Sequence, residues 1–343
     1  MTIQTLNLVD TKDGEQVAVW KIVADTKDCT ITDTPTETLA TNKSTIKTQN
    51  IFLTHGTFSD KQTCLKIAEY LASFGHHCYI MEWRSHGNSS IAKEKFNFET
   101  VATYDYEATF RYFFDTLKLN NLHCVTHSGG GVGLTIFLIQ NPGYIDNINS
   151  ITLFACQAYA AAIKPINHTK ILSAKLFTRL LGHIPAKKLK IGPFNESYYT
   201  MSQWFDWNLH HHFKSSFIKK SAMDNGSFNK DAINKAYLHN HKVNNHITQQ
   251  DSADDSYFDY RHHMPKITIP IYAISAKGDK FISPTTGCQL FFDDFKNPSN
   301  VFREYALSHG DLDDYTHSRI MVSRHAATEI WPTVTAWIEK YAN

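Results

Sequence analysis

From residue 50 onward, short apolar runs alternate with stretches whose apolar positions recur at helical spacing. The runs have the length of β-strands, and most are followed by a polar turn and then by a helix-like stretch. This alternation indicates the α/β class, with a mostly parallel sheet and helices on both of its faces. The predicted strands are residues 51–54, 78–83, 122–126, 150–155, 267–275 and 300–306. The predicted helices are residues 61–74, 100–117, 131–140, 285–295 and 323–341.

Two extended runs precede this pattern, at residues 6–9 and 17–20. The pair Asp13-Gly14 between them is typical of a hairpin turn, because both residue types tolerate the backbone angles that such a turn requires. Residues 25–49 are rich in Thr, Asp, Lys and Asn and hold few apolar positions. We expect them to form an exposed loop rather than a linker between domains.

The alternation stops between residues 157 and 264 and then resumes. This segment has many aromatic residues and three helix-like stretches, at residues 170–181, 198–211 and 229–239. Because it is placed between two strands of one sheet, it is expected to form a cap on the same domain. The predicted organisation is an α/β core of residues 1–156 and 265–343 with an inserted, mainly helical cap of residues 157–264.

Charge and hydropathy argue against a nucleic-acid partner and against a membrane span. The 343 residues carry 34 Lys and Arg against 33 Asp and Glu, so the net charge of +1 gives no reason to expect a nucleic-acid partner. The sequence does not open on a basic stretch followed by an apolar run, and it has no run of about 18 apolar residues that could span a membrane. We therefore expect a cytoplasmic protein.

Cysteines and histidines give no sign of a disulfide framework or a metal site. The six cysteines are widely scattered, and three of them fall in or at the end of apolar runs, which is typical of buried thiols in a reducing compartment. The 19 histidines are numerous, but solvated or core histidines explain them better than a metal does, because a metal needs a converging set of ligands.

The most informative motif is Thr126-His127-Ser128-Gly129-Gly130, which ends a predicted strand and directly precedes a helix-like stretch. A serine on such a strand-to-helix turn has a strained backbone, and the residues two positions away must be small. The strain would direct the Ser128 hydroxyl outward from the sheet edge. It would also place the Gly129 N–H at the helix start, where it can stabilise an oxyanion. The motif usually opens with Gly, and Thr126 is still short enough for that position.

Two further strand ends are suited to a hydrolytic site. His55-Gly56-Thr57 follows the strand at 51–54, and a turn allowed by Gly56 would make the Thr57 N–H a second oxyanion donor. Asp279 follows the strand at 267–275, where an acid would orient a histidine and stabilise its protonated form. Standing alone, Asp279 would be interpreted as a turn or helix-capping residue.

The base should follow the last predicted strand, and two histidines do. His309 lies in a turn-like setting close to the strand end, and His317 lies shortly before the closing helix. From spacing alone the two are nearly equal candidates. His86 and His127, which no motif pairs with a second base, are expected to have structural roles.

Two stretches resemble α/β-hydrolases of the acid-lipase and bacterial lysophospholipase-like type. Residues 315–326, followed by Trp331-Pro332, are similar to the C-terminal tail of these enzymes, and residues 83–89 are similar to their Arg-x-His-Gly-x-Ser turn. The resemblance covers residues 50–156 and 265–343 and implies the α/β-hydrolase fold. It also implies that His317 is the base, with His309 as the alternative.

The resulting hypothesis is a serine ester hydrolase of the carboxylesterase, lipase or lysophospholipase type. Ser128 would attack an acyl carbon, His317 would move the proton and Asp279 would orient His317, with no cofactor or metal. Acyl transfer and the hydrolysis of amides or thioesters proceed on the same triad and stay open as alternatives. A non-catalytic binding module is an alternative of a different class, disfavoured because all three types of triad residue are present.

The predicted cap holds the clues to the substrate, a small-molecule ester. Residues 157–195 contain seven Lys and Arg and no Asp or Glu, and apolar pairs recur there at helical spacing, at 171–172, 176–177 and 180–181. A basic amphipathic helix can lie transiently on an anionic lipid surface. A helix that packs this stripe on the core is favoured instead, since a stripe of this width is normal. The aromatic residues between 198 and 207 would suit a pocket for an apolar acyl or alcohol group, or the core of the cap itself.

Overall fold

The computed structural model describes residues 1–25, 47–224, 227–228 and 256–342. Eight strands form one central sheet. They are β1 (Thr2–Asp10), β2 (Gln16–Ala24), β3 (Asn50–Thr54), β4 (His77–Glu82), β5 (Leu122–His127), β6 (Ile148–Phe154), β7 (Ile271–Ala276) and β8 (Val301–Tyr305).

The order of neighbours in this sheet is β1-β2-β4-β3-β5-β6-β7-β8. The pairs β1–β2 and β2–β4 are antiparallel, and every other pair in the sheet is parallel. The carboxyl ends of parallel strands share one edge, so the loops after β3, β5, β7 and β8 meet there. This order and orientation are those of the α/β-hydrolase fold, and the predicted fold class is confirmed.

The predicted N-terminal hairpin is present and longer than its two apolar runs. β1 and β2 pair from Thr2 opposite Ala24 to Asp10 opposite Gln16. Gly14 has a φ of +83°, in the left-handed region that glycine adopts without steric cost. Of the loop predicted at residues 25–49, residues 26–46 lie outside the described residues.

Helices pack on both faces of the sheet. The α-helices of the described residues, those of the insertion included, are α1 (Gln62–Ser73), α2 (Phe98–Thr100), α3 (Glu107–Arg111), α4 (Gly129–Gln140), α5 (Pro165–Leu181), α6 (Ala186–Leu189), α7 (Tyr198–His210), α8 (Thr285–Asp293), α9 (Arg319–Val322), α10 (Arg324–Glu329) and α11 (Trp331–Lys340). One apolar cluster joins α1 to α11 through residues such as Ile67 and Val334. A second joins α3 to α4 through Phe110 and Phe137, and Trp207 of α7 belongs to it.

Two predicted helices differ from those observed. The helix expected at 100–117 begins at Phe98, and π-helical segments (Val101–Tyr106 and Tyr112–Thr116) flank α3. The single closing helix expected at 323–341 is wrong. Ser323 caps a new helix by accepting the Ala326 N–H at 3.1 Å, and Pro332 lies in the first turn of the next one. The Ser323 cap thus agrees with the predicted start, and the interruption lies at Ile330, just before the proline that lacks an N–H.

Between β6 and β7 the described chain forms α5, α6 and α7 and adds no strand to the central sheet. Three short antiparallel pairs accompany these helices: His183–Ile184 with Glu196–Ser197, Lys214–Lys219 with Tyr257–Asp259, and Met223–Asp224 with Ser227–Phe228. The helix predicted at 229–239 lies outside the described residues. We call residues 157–264 the insertion, and its predicted boundaries and division from the core stay predictions.

Candidate active site

Ser128 lies on the turn between β5 and α4, with φ of 54° and ψ of −125°. A positive φ is strained for any residue with a Cβ and persists only where the surroundings hold it. Here the Ser128 N–H donates to the Phe154 carbonyl at 2.8 Å, and the Gly131 N–H donates to the Ser128 carbonyl at 3.0 Å. Ser128 is partly exposed while the residues before and after it are buried, so the hydroxyl lies at the open edge of the sheet.

Small residues after Ser128 are required by close neighbours. A Cβ on Gly130 would lie 2.7 Å from the His55 carbonyl oxygen, and one on Gly131 would lie 2.4 Å from the Cys156 Sγ. Both distances are too short for a real Cβ. The helix side of the turn therefore packs directly on β3 and on the loop after β6, as the motif predicts.

Three side chains from separate loops form a hydrogen-bonded chain. His317 Nε2 lies 2.8 Å from Ser128 Oγ, and His317 Nδ1 lies 2.6 Å from Asp279 Oδ2. The Asp279 carboxylate also accepts the backbone N–H groups of Ile282 at 3.1 Å and Ser283 at 3.0 Å. Burial raises the pKa of Asp279, but His317 and these N–H groups outweigh burial and hold that pKa below 3.8. Asp279 is therefore an anion at neutral pH and accepts the Nδ1–H of His317.

His309, the alternative base, lies elsewhere. Its Nδ1 is 3.4 Å from the Glu304 carbonyl oxygen and its Nε2 is 3.7 Å from the Glu304 carboxylate. Its side chain is 44% exposed. The structure brings His317 and not His309 to Ser128.

The loops that carry Asp279 and His317 contact each other directly. The Gly278 N–H donates to the Asp314 carbonyl at 2.7 Å, and a Cβ on Gly278 would lie 2.1 Å from the Tyr315 carbonyl oxygen. Glycine is therefore required beside Asp279 so that the two loops can approach. This contact sets the register between acid and histidine, and no spacing in the sequence contains it.

The backbone nitrogens of Gly129 and Thr57 lie close to each other near Ser128. Gly129 is the first residue of α4, so its N–H has no acceptor one turn earlier in the helix. A Cβ on Gly129 would lie 3.6 Å from Thr57 N, which places the two donors side by side. A Cβ on Gly56 would lie 2.9 Å from Gly129 N and 3.1 Å from Ser128 Oγ. Glycine at 56 thus leaves room for an oxygen atom beside the hydroxyl.

The sequence predicts a structural role for His127, and the structure shows the contact that it makes. Its Nε2 lies 2.9 Å from the His317 carbonyl oxygen, which can only accept, so Nε2 carries the hydrogen. Burial, with help from His317, lowers the pKa of His127 to about 3, and the ring is neutral. The residue before the serine therefore holds the backbone of the loop that carries His317. His127 belongs to the serine motif, but the motif does not show that this residue contacts His317, 190 residues away.

The described residues contain no group of three or more His, Cys, Asp or Glu side chains that could hold a metal ion. None of the described helices is long and apolar enough to cross a membrane. The described cysteines are free, buried thiols, and they are Cys64, Cys78, Cys124, Cys156 and Cys288. Cys29 lies outside the described residues.

The sheet order, together with a serine on a strained turn after β5, defines the class of α/β-hydrolases. The profile of the family described as alpha/beta hydrolase fold matches residues 50–311, which is more than half of the chain. The protein therefore belongs to the α/β-hydrolase family. No curated protein matches its sequence.

Solved structures resemble this protein over nearly its whole length. An esterase from Exiguobacterium antarcticum has a TM-score of 0.53 at 12% identity, covering 98% of this chain and 100% of that one. An esterase from Pyrococcus furiosus has a TM-score of 0.56 at 11% identity, covering 99% and 92%. A bacterial membrane phospholipase A, described as a virulence factor, has a TM-score of 0.53 at 13% identity, covering 98% and 86%. At these identities the similarity shows the fold alone.

Proposed function

We propose that the protein is a serine hydrolase of carboxylic esters, with Ser128, His317 and Asp279 as its catalytic triad. The observation that carries this proposal is the continuous chain of contacts from Asp279 Oδ2 to Ser128 Oγ, at 2.6 and 2.8 Å. Because Asp279 accepts the Nδ1–H, the Nε2 of His317 is left to accept the serine proton. The esterases among the structurally similar proteins support the ester class.

The reaction follows from the positions of these groups. Ser128 Oγ attacks the acyl carbon as its proton passes to His317 Nε2, and the N–H groups of Gly129 and Thr57 hold the oxyanion. His317 then donates the proton to the leaving alcohol, and a water molecule activated by His317 releases the acid. Acyl transfer and amide or thioester hydrolysis would use the same acyl-enzyme and differ only in the acceptor or leaving group.

The walls beside the site are aromatic, which favours an apolar acyl group. A Cβ on Gly129 would lie 2.8 Å from Phe98 and 3.1 Å from Trp83. Trp207, from the insertion, lies 5.5 Å from Phe98 between ring centroids. Trp207, one of the aromatic residues between 198 and 207, therefore packs against Phe98 beside the site. We propose that the insertion acts as a cap over the site.

We expect kcat/KM for p-nitrophenyl esters to rise with acyl chain length over the first several carbons. Each buried methylene contributes about 0.8 kcal/mol, which corresponds to about a fourfold increase. Phe98→Ala should flatten this series, while its activity on the acetate ester changes less. Chain-length profiles of the two proteins would check the pocket. A wild-type series that falls from acetate onward would exclude an apolar acyl pocket, and a protein that is folded but inactive on every ester would count against the ester class.

We also propose that α5 contacts an anionic lipid surface. The buried residues of α5 are Ile171, Asn167 and Thr178. The favoured prediction, that the apolar stripe of this helix packs on the core, is therefore wrong for most of the stripe. Leu176 and Leu180 are 59% and 78% exposed. The other exposed large apolar residues of α5 are Ile166, Leu172, Phe177 and Leu181.

The charges around this face suit an anionic surface. At 100° per residue, Leu180 and Leu176 lie on the side of α5 away from Ile171. Arg179 lies where the apolar side meets the buried side, and Lys170 lies within the opposite margin of the apolar side. Segment 157–195 contains seven basic residues and no acidic residue, and one of the seven, Lys175, pairs with Asp206 of α7. An apolar face bordered by cations is the pattern of helices that lie in a bilayer interface.

Sedimentation with vesicles tests this contact. We expect the protein to bind phosphatidylglycerol-containing vesicles more than neutral phosphatidylcholine ones, and the bound fraction to fall with salt, because charge attraction is screened. The double change Leu176→Ser and Leu180→Ser should reduce binding at least tenfold, since it removes two exposed apolar side chains that would enter the bilayer. Ile91→Ser, at an exposed apolar residue outside the insertion, is the matched control. Absence of binding, or a dimer that the double change dissociates, would contradict the lipid contact.

A further inference from the structure

The residue after the second proposed oxyanion donor has a strained backbone. Phe58 follows Thr57 and has a φ of +66°, in the region that residues with a Cβ rarely adopt. Its φ and the preceding ψ set where the Thr57 backbone can lie. Whatever holds Phe58 therefore helps to hold the Thr57 N–H.

The insertion holds Phe58 from both sides. The Phe58 N–H donates to Glu196 Oε1 at 3.1 Å, and the Phe194 N–H donates to the Phe58 carbonyl at 3.2 Å. A Cβ on Gly192 would lie 2.2 Å from the Phe58 carbonyl oxygen, so the two backbones touch. Three positions of the segment 192–196 thus contact the two peptide groups that flank the Phe58 Cα, in the loop that carries Thr57.

The carboxylate of Glu196 has a second partner in the core. His86 Nε2 lies 3.0 Å from Glu196 Oε1, and both side chains are 1% exposed. The Nδ1 of His86 lies 2.9 Å from the Arg84 carbonyl oxygen and must donate to it. Burial disfavours a charged imidazole, but Glu196 outweighs burial and raises the pKa of His86 above 6.5. The contact joins a buried imidazole of the core to a buried carboxylate of the insertion.

The turn that carries His86 is also held by hydrogen bonds within the core. The Arg84 guanidinium donates to Asp105 at 2.8 Å and to Asp13 at 2.6 Å, and the Arg84 N–H donates to Asp105 at 3.0 Å. The Ser89 hydroxyl donates to the Glu82 carbonyl at 2.6 Å. These bonds make the turn after β4 a rigid support, against which Glu196 is held in place.

We propose that Glu196 is a positioning residue that completes the oxyanion hole, so that the Thr57 N–H is correctly placed only when the insertion is seated on the core. This inference rests on the proposed function. Strain at Phe58 persists only while its contacts hold it. Without the Glu196 carboxylate the loop relaxes, and the Thr57 N–H moves from the place where the oxyanion forms.

Glu196→Ala should lower kcat for a p-nitrophenyl ester roughly 10- to 100-fold and leave KM nearly unchanged. This loss is smaller than the loss expected when an oxyanion donor is removed altogether. Glu196→Gln should retain most of the rate, because its amide oxygen can still accept the Phe58 N–H. An aryl boronic acid, which forms a tetrahedral adduct with the serine, should bind Glu196→Ala more weakly by about the same factor as kcat falls.

Gln203→Ala is the matched control. Gln203 is buried in α7 of the insertion and accepts the Glu99 N–H of the core at 3.4 Å, away from Phe58. We expect this variant to lose thermal stability but to keep kcat and boronic-acid affinity within about twofold. An equal loss of both in Gln203→Ala would overturn the proposal, because it would mean that any loosening of the insertion has the same effect.

Hydrogen exchange separates this inference from the proposed function. Faster exchange of the Phe58 amide in Glu196→Ala than in Gln203→Ala would support the contact whether or not the protein hydrolyses esters, and equal exchange would overturn it. If Glu196→Ala does not fold, Glu196→Gln and Gly192→Ala carry the same comparison, with the larger loss of kcat expected for Gly192→Ala. Wild-type protein that fails to hydrolyse esters would refute the proposed function, whereas active wild type with unchanged kcat in Glu196→Ala would refute the inference alone.

Discussion

Replacing Ser128 with alanine is expected to lower the rate of ester hydrolysis by roughly 10⁴- to 10⁶-fold, the scale on which loss of a nucleophilic serine acts. The physical reason is that no other hydroxyl in the described residues contacts the Nε2 of His317 at the turn after β5. The proposed oxyanion donors remain, so a small residual rate above that of water is expected. The check is kcat/KM on a p-nitrophenyl ester.

The fold should survive this change. Alanine keeps a Cβ, so the strain at φ of 54° is the same, and only the hydrogen bond to His317 is lost. Its contribution to stability is about 1 kcal/mol. Ser73→Ala, at an exposed serine ending α1, is the control and should keep full activity. Wild-type rates in folded Ser128→Ala would remove Ser128 from the mechanism.

His317→Ala is expected to lower kcat/KM by roughly 10⁴- to 10⁶-fold, and His309→Ala by less than about twofold. His317 contacts both Ser128 and Asp279, while His309 contacts Glu304 at the surface. Both variants remove the same side chain, so the comparison controls for the loss of an imidazole. Equal losses, or a larger loss in His309→Ala, would overturn the assignment of the base.

Much of the fold could be predicted because each element has a local pattern. Most strands of the sheet contain an apolar run, and the turn after β5 requires small residues that are visible in the sequence. The proposed triad residues follow three of the parallel strands, and parallel strands bring their carboxyl ends together. Spacing could not choose between His309 and His317, because the choice depends on the contact of Gly278 with Tyr315.

Features that depend on contacts between distant residues could not be predicted. The apolar positions of α5 have helical spacing, which indicates a helix but not which side faces the core. Glu196 contacts Phe58 and His86 across 138 and 110 residues, and His127 contacts His317 across 190. No local pattern marks such pairs. They are also the contacts that position the proposed machinery.

Labelling with a fluorophosphonate, read by intact mass spectrometry, tests the central claim most directly, because this probe forms a covalent bond only with an activated serine. The four proteins are wild type, Ser128→Ala, His309→Ala and His317→Ala. We expect a single adduct on wild type and on His309→Ala, and none on Ser128→Ala or His317→Ala. No adduct on folded wild type, or an adduct that persists in Ser128→Ala, would contradict the proposed serine hydrolase.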